Sequence, residues 1–491
     1  MGWLSLAIWL PIVSGTVLLA FGAESQVKAV RWMALVAALA SLLVTLPLVT
    51  GFDATSSAMQ FQEHRAWIER LNMHYHLGVD GISVWFVVLT AFITLVVVIA
   101  GWGSISDRVA QYMASLLILS GLMVGVFAAL DGMLFYIFFE ATLIPMYIIV
   151  GVWGGPNRIF AAFKFFLYTF AGSLLMLIAV IYLYYKAGGS FDILTWHKLP
   201  LPMTAQTLLF FGFFAAFSVK VPMWPVHTWL PLVHPEAPTG GSAVLAAVML
   251  KLGAYGFVRF SLPIAPDASH EWAWLVITFS LVAIIYIGFV AIVQKDMKVL
   301  IAYSSIAHMG FVTLGFFVFN QLGVTGALVQ MISHGFISAA MFLCIGVLYD
   351  RMHTHEIARF GGVINTMPTF TALVVFFAMA NVGLPGTAGF VGEWLVILAS
   401  VKFNFWIGLL AAISLILGAC YTLWMVKRVY YGAIANDEVR ALRDIGPREG
   451  LMLVMLAAAV LWMGLYPKPF TDVMQVSVAE LLRHVAVSKL N

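Results

Sequence analysis

Charged residues are scarce in this chain of 491 residues. Asp, Glu, Lys and Arg make up only 10% of it, whereas 63% of the residues are hydrophobic. A soluble domain carries about 25% charged residues, so the shortage excludes an ordinary soluble protein and indicates a polytopic protein embedded in a lipid bilayer. The net charge of +3 is small and dispersed, which argues against nucleic acid as a partner.

Cysteine is almost absent as well. The two cysteines, Cys344 and Cys420, lie in apolar runs, which excludes a disulfide framework and a four-thiolate iron–sulfur or zinc site within this chain. The sequence has neither a G-x-G-x-x-G motif after a strand nor a Walker A motif, so nucleotide and flavin chemistry are not encoded here. We therefore expect no cofactor in this chain, and any redox energy that drives it must come from other subunits.

Two histidine pairs offer only fragments of a metal site. His353-x-His355 and His74-x-His76 have ligand-like spacing, and Glu356 follows the first pair. Both pairs lie in polar loops without further ligands, whereas a structural zinc site needs four. We therefore predict no metal site in this chain.

Apolar runs of spanning length, about 20 residues each, alternate with polar corners. The first run, MGWLSLAIWLPIVSGTVLLAFG, lacks the charged start and the Ala-x-Ala site of a signal peptide, so we predict a transmembrane helix there. The predicted spans, about fourteen in all, are 3–22, 30–49, 80–101, 109–130, 132–153, 158–185, 205–230, 240–262, 272–294, 299–319, 322–349, 366–400, 405–430 and 449–466. Residues 50–79 and 432–448 are predicted extramembrane loops, and Phe470–Leu490 is predicted to be an amphipathic helix at the interface.

Lysine and arginine favour one side of the membrane. They are more numerous in loops after odd-numbered spans, where we place Lys295 and Lys298, than in loops after even-numbered spans, where we place Arg259. The positive-inside rule then predicts that both termini lie outside the cytoplasm. The length and the complete first spans favour a bacterial source, and hence the bacterial inner membrane with periplasmic termini.

Two of the predicted spans are interrupted by proline. Span 7 contains VKVPMWPVH, and span 12 contains NVGLPGTAGF. Such paired interruptions indicate inverted repeats with a site at the membrane midplane, and the five spans that separate them would give the repeats opposite topology. We predict an all-α fold in four parts: N-terminal helices with a loop (1–108), a first repeat (109–262), a second repeat (263–432), and a last helix with the interfacial helix (433–491).

Few ionisable side chains lie within the apolar spans. Each charge at the centre of a membrane helix costs roughly 2.5–3.5 kcal/mol, so function is its default explanation. The structural alternatives are a lysine that snorkels to the interface, an ion pair between helices, a glutamate that caps a half-helix, and a histidine that only bonds neighbouring helices. The set comprises Glu140, Lys220, Lys251 and Glu393, with His227, His234, His308 and His334 in or beside spans 7, 10 and 11.

The alternation of acid, base, base and acid on separate spans suits proton transfer along the membrane plane. A nearby carboxylate favours the charged form of a lysine, and burial opposes it. A lysine–glutamate pair whose distance changes can therefore hold a proton and then release it. Histidine titrates near neutrality and suits a relay between such stations, so we predict a hydrated cavity lined by the lysines.

Four blocks of the sequence resemble the antiporter-like subunits of respiratory complex I, most closely the M-type or chain 4 branch. The resemblance covers nearly the whole chain. The blocks are FFEATLIPMYIIVGVWGG (138–155), VKVPMWPVHTWLPLVHPEAPTGGSAVLAAVMLKLGAYG (219–256), QKDMKVLIAYSSIAHMG (294–310) and GLPGTAGFVGEW (383–394).

This resemblance implies a fold of fourteen helices, with two inverted five-helix repeats and discontinuous spans 7 and 12. It also implies that Glu140 and Lys220 form a coupling pair, that Lys251 is a central relay lysine, and that Glu393 is the acidic residue on the outlet side. The related L-type and N-type subunits usually carry lysine where this chain has Glu393.

The implied function is that of a proton-translocating membrane-arm subunit of NADH:quinone oxidoreductase. His308 and His334 would then lie on its hydrophilic axis, and His227 and His234 are further candidates for the relay. FMN, iron–sulfur clusters and quinone are expected in partner subunits, and L-type and N-type subunits are expected as neighbours. The alternatives are a subunit of a multisubunit cation/proton antiporter or of a membrane-bound hydrogenase.

Overall fold

The computed structural model describes residues 2–490, and helices dominate it. The longer helices are α1 (Trp3–Phe21), α2 (Val27–Thr50), α3 (Val84–Ser104), α4 (Val109–Ala128), α5 (Gly132–Ala141), α6 (Leu143–Trp153), α7 (Arg158–Lys186), α8 (Met203–Lys220), α9 (Leu230–Glu236), α10 (Thr239–Ile264), α11 (Ala273–Ile292), α12 (Met297–Phe317), α13 (Gln321–Met352), α14 (Pro368–Val382), α15 (Ala388–Phe403), α16 (Phe405–Tyr430), α17 (Pro447–Leu465) and α18 (Lys468–Ala486). Short helices at Ile193–Trp196, Pro266–Glu271 and Asp437–Arg440 lie in the connections.

The number of membrane-spanning helices agrees with the prediction. Within residues 2–490, 13 helical stretches are long and apolar enough to cross a membrane, and α5 and α6 together make one of them. The remaining predicted span, 366–400, is divided between α14 and α15, which are shorter than the roughly 20 residues that a crossing needs. The structure thus confirms an all-α polytopic membrane protein, while the division into repeats stays a prediction.

Two helices form the centre of the protein. The most apolar parts of α10 and α13 are buried along their whole length, whereas fewer than half of the residues in those of α1, α2 and α17 are buried. α13 packs against α10, α12 and α15. A helix that is apolar on all sides is typically buried in the interior of a protein. Since α10 and α13 are surrounded by other helices, polar side chains in their middle are shielded from lipid.

Proline ends α8 inside the predicted span 7. Pro222 has no N–H to donate, so the helix stops at Lys220 and resumes only at Leu230. The indole N–H of Trp229 donates to the carbonyl oxygen of Val219 at 2.9 Å. A carbonyl group near the break thus has a protein partner, as apolar surroundings require. The break leaves Lys220 in the last turn of α8.

Glycine makes the second break, between α14 and α15. Gly383 ends α14 with φ +86° and Gly386 has φ +92°, a left-handed conformation that glycine adopts without strain. A β-carbon on Gly383 would lie only 3.1 Å from Glu393 Oε2. The break therefore both turns the chain and leaves room for the Glu393 carboxylate. Both interruptions predicted from the sequence are confirmed.

The polar stretch 50–79 is more ordered than the predicted loop. It contains the antiparallel strands β1 (Gln60–Ile68) and β2 (Met73–Val79), in which His64 pairs with His76. The His76 carbonyl oxygen accepts a hydrogen bond from the N–H of Leu130, at 2.9 Å. The hairpin is thereby tied to the connection that leads into α5.

The amphipathic helix predicted near the C-terminus is present as α18. Its apolar side chains Phe470, Met474 and Val478 are buried, and the centres of the Phe470 and Trp85 rings are 4.4 Å apart. On the same helix, Ser477 Oγ accepts a hydrogen bond from the N–H of Gly81, at 3.0 Å. The apolar stripe that suggested contact with the membrane interface is therefore covered by the protein itself.

Arg259 and Lys298 do not lie in loops, so their assignment in the charge count was wrong. Arg259 belongs to α10 and Lys298 to α12, and both side chains are buried. Arg259 forms an ion pair with Asp80 at 2.7 Å, and its Nε donates to the Tyr255 hydroxyl at 3.0 Å. Because each charge has a partner, the pair can be buried where α10 meets the start of α3.

Replacing Arg259 by leucine is expected to lower the free energy of unfolding by about 3–5 kcal/mol, because Asp80 would keep a buried charge without its partner. The matched control is Arg359→Leu, since the ion pair of Arg359 with Glu438 is exposed and contributes little. Unfolding of the protein purified in detergent measures the difference. Equal stability of the two variants would contradict a structural role for the buried pair.

Candidate functional site

Four of the predicted site residues lie in a row through the centre of the protein. Lys251 of α10 lies beside His334 of α13, the His334 ring faces the ring of His308 on α12, and His308 bonds Glu393 of α15. All four side chains are buried. The row forms because α13 packs against each of the other three helices. We call these four residues the central row.

Lys251 and His334 share a hydrogen bond at one end of the central row. Lys251 Nζ lies 2.7 Å from His334 Nδ1 and 2.5 Å from the carbonyl oxygen of Ala246. A lysine ammonium donates and cannot accept, whereas a neutral imidazole nitrogen accepts. One proton can therefore be held on either side of this pair. Ala246 lies in a π-helical stretch of α10, Leu245–Met249, a feature that is frequent at functional sites.

His308 and Glu393 form the other end of the central row. His308 Nδ1 lies 2.7 Å from Glu393 Oε1, and the amide of Gln330 donates to the same oxygen at 3.3 Å. A buried carboxylate is costly unless it is hydrogen-bonded, so these two contacts explain how Glu393 is tolerated inside the protein. Imidazole and carboxylate again form a pair that can share one proton.

A gap separates the two pairs. The ring centres of His308 and His334 are 5.6 Å apart, and His308 Nε2 is buried without a hydrogen-bond partner among the described residues. A cavity of about 10 Å³, lined in part by His308, Glu393, Asn381 and Tyr421, adjoins this end of the central row. That volume holds about one water molecule. Proton transfer along the row therefore needs a ring rotation or a water molecule between the histidines.

Lys220 and Glu140, the predicted coupling pair, lie on neighbouring helices without bonding each other. Lys220 is buried, and its Nζ lies 3.5 Å from Thr142 Oγ1 and 4.6 Å from the centre of the Phe139 ring. Glu140 is half-buried on α5, and its Oε1 has no hydrogen-bond partner within residues 2–490. No ion pair within 4.0 Å joins Lys220 to Glu140 in this part of the chain.

His227 and His234 stand outside the central row. The His234 ring is stacked on the Phe342 ring at 4.3 Å, and in the described part of the chain neither of its nitrogens has a hydrogen-bond partner. His227 lies in the break after α8, with its ring 6.5 Å from the ring of Tyr303. Their role in a relay stays a prediction, since no contact links either histidine to Lys251 or Glu393 among the residues described.

Sequence reasoning missed three polar residues near the site. Gln330 bonds Glu393, Thr142 contacts Lys220, and Lys298 Nζ donates to the carbonyl oxygen of Ala237 at 2.8 Å. Gln330 precedes His334 by four residues, which places both on one face of a helix. That spacing could have identified Gln330, whereas nothing in the sequence connects Thr142 with a lysine on another helix.

Comparison with known proteins covers the whole chain. The family model described as "NADH:quinone oxidoreductase/Mrp antiporter, TM" matches residues 129–418. The chain is similar to NADH-quinone oxidoreductase subunit M of Rhodobacter capsulatus, with 50% identity over 98% of this chain and 96% of the relative.

Two solved structures are similar to the whole fold. A chain of respiratory complex I from Thermus thermophilus with bound NADH matches with a TM-score of 0.90 and 30% identity, over 99% of this chain and 100% of that one. A chain of the Mrp complex from Dietzia sp. matches with a TM-score of 0.85 and 18% identity, over 99% of both chains. The second likeness shows the fold alone.

Replacing His334 by leucine is expected to lower the free energy of unfolding by about 1–3 kcal/mol, because Lys251 would lose a buried hydrogen-bond partner. The matched variant is His234→Leu. It removes two buried nitrogens that have no partner among the described residues, so the free energy of unfolding should stay the same or rise. Unfolding in detergent compares the two. A His334→Leu variant as stable as His234→Leu would contradict the hydrogen bond to Lys251.

Proposed function

Because the chain belongs to the NADH:quinone oxidoreductase/Mrp antiporter family of transmembrane proteins, we propose that it is a proton-translocating subunit in the membrane arm of NADH:quinone oxidoreductase. Eight relatives that share 42–50% of its residues are named as subunit M of NADH-quinone oxidoreductase or chain 4 of NADH-ubiquinone oxidoreductase. The chain would serve the complex without a redox centre of its own.

The central row is the observation that carries the proposal. An amine, two imidazoles and a carboxylate follow one another at hydrogen-bonding or near-contact distances inside a membrane protein. Amine, imidazole and carboxyl groups can each bind and release a proton. Ionisable groups within membrane spans mark ion and proton pathways. A structural ion pair alone would need one base and one acid, not this succession.

Glu140 and Lys220 would couple the subunit to its neighbours. Quinone reduction elsewhere in the complex would change the distance between them, and Lys220 would hold its proton when the pair is close and release it when the pair separates. Lys251 would be the next acceptor. A β-carbon on Gly253 would lie 2.8 Å from Lys220 Cβ, so α10 passes very close to Lys220 just two residues after Lys251.

The central row would then carry the proton across the second half of the protein. Lys251 would pass it to His334, a water molecule or a ring rotation would bring it to His308, and Glu393 would release it toward the outlet side. Both outer steps would use the 2.7 Å contacts, in which a proton moves directly from the donor to the acceptor. The middle step has no direct hydrogen bond and would be the slowest of the three.

Partner subunits would supply the driving reaction. FMN, iron–sulfur clusters and quinone would be bound by other chains of the complex, and L-type and N-type antiporter-like subunits would lie beside this one in the bacterial inner membrane. A cation/proton antiporter subunit has less support, because the Mrp chain is only 18% identical to this one. The hydrogenase alternative stays a prediction.

Replacing Lys220 by alanine is expected to abolish proton pumping coupled to NADH oxidation, because no other amine could take its place between Glu140 and Lys251, while the complex still assembles. Lys402→Ala, at an exposed position near the end of α15, is the control and should pump normally. Acidification of inverted membrane vesicles during NADH oxidation measures pumping, and a native gel measures assembly. Full pumping by an assembled Lys220→Ala complex would overturn the proposal.

Both termini are expected on the periplasmic side. A cysteine at Ser488 should react with a membrane-impermeant maleimide in intact spheroplasts, and a cysteine at Glu438 should react only after permeabilisation. Both positions are exposed, and Cys344 and Cys420 would first be replaced. Labelling of position 438 from outside would reverse the orientation inferred from the positive-inside rule.

A further inference from the structure

The ε-amino group of Lys220 lies against one face of α5. Phe139 and Thr142 are three residues apart, which places them one above the other on a helix surface, and both contact Lys220 Nζ. Glu140 follows Phe139 directly, and consecutive residues point to different faces. Lys220 therefore contacts the face of α5 next to the one that carries the Glu140 carboxylate.

The ring of Phe139 is suited to hold a cation. Lys220 Nζ lies 4.6 Å from its centre, well within the roughly 6 Å at which the negative face of an aromatic ring attracts a cation. Both side chains are 1% exposed, so water competes little with this attraction. Phe135 and Phe217 fix the ring in place, with centres at 5.7 and 6.1 Å.

Thr142 adds an acceptor for the same amine. Its hydroxyl donates to the carbonyl oxygen of Phe139 at 2.7 Å, so the hydroxyl hydrogen is already used. The oxygen lone pairs are left to accept from Lys220 Nζ, at 3.5 Å. Thr142 itself is fully buried, at the joint between α5 and α6. The Phe139 ring and the Thr142 hydroxyl group thus both contact the amine of Lys220.

We propose that Phe139 and Thr142 form a second station for the protonated Lys220, which holds it away from Glu140 during turnover. The inference rests on the proposed function, and it makes Phe139 and Thr142 positioning residues for the proton transfer. The lysine would alternate between the Glu140 carboxylate and this aromatic station by turning around α5. The ring and the neutral hydroxyl favour the charged amine less than a carboxylate does, so Lys220 would release its proton toward Lys251 from the station and not from Glu140. Without the station, the ammonium would stay longer with Glu140, and proton transfer to Lys251 would slow.

Progressive fluorination of the Phe139 ring tests this station in the intact complex. Each fluorine weakens the attraction of the ring face for a cation and hardly changes the size of the ring. Phenylalanine with one, two and three fluorines is introduced at position 139. The same series at Phe138 is the control, because Phe138 is a buried neighbour on α5 and the cation–π contact of Lys220 is with Phe139. NADH-driven proton pumping is measured in membrane vesicles, with assembly checked on native gels.

The expected result is a stepwise fall in the pumping rate at position 139, roughly tenfold with three fluorines, which corresponds to about 1.4 kcal/mol, and no trend at position 138. Thr142→Val should slow pumping in the same direction. An unchanged rate throughout the series at position 139, or equal falls at both positions, would overturn the station. That outcome is distinct from failure of the proposed function, which normal pumping by Lys220→Ala would reveal.

Discussion

The cost of an unpaired polar group in apolar surroundings shapes this protein more than any other constraint. A buried charge or backbone group without a partner costs several kcal/mol in a membrane, and the two charged residues of the central row each have hydrogen-bond partners. Lys251 has His334 and a backbone carbonyl, and Glu393 has His308 and Gln330. Two of these partners, His334 and His308, are also groups that we propose as proton carriers.

The two helix breaks follow from the same constraint. A proline or glycine interruption frees backbone groups, and the protein satisfies one of them with the Trp229 indole. In return, the first break leaves Lys220 in the last turn of a half-helix, and the second leaves space beside Gly383 for the Glu393 carboxylate. Charged side chains are thus brought to positions that a continuous apolar helix would fill with hydrocarbon.

Residue types and spacing predicted the spans, both breaks and the central residues, because each of these depends on local composition. The contacts between helices could not be predicted in this way. Nothing along the chain shows that His334 bonds Lys251, and the loop assignment of Arg259 and Lys298 failed because a buried cation near a helix end has the same local sequence as an exposed one. The burial of Arg259 depends on Asp80 and that of Lys298 on the Ala237 carbonyl group, and both partners are distant in sequence.

The space between the amines of Lys220 and Lys251 differs from the central row because no hydrogen bonds among the described residues connect the two groups. No side chain within residues 2–490 hydrogen-bonds both amines, since Lys220 contacts the Phe139–Thr142 station and Lys251 turns toward Ala246 and His334. Gly253 lets α8 and α10 approach closely. The two lysines are therefore on adjacent helix segments, but no side chain in the described part of the chain connects their amines by hydrogen bonds. In the proposed pathway, transfer between the two amines would depend on the position of Lys220. A distant reaction that moves Lys220 would then control the flow of protons at this step.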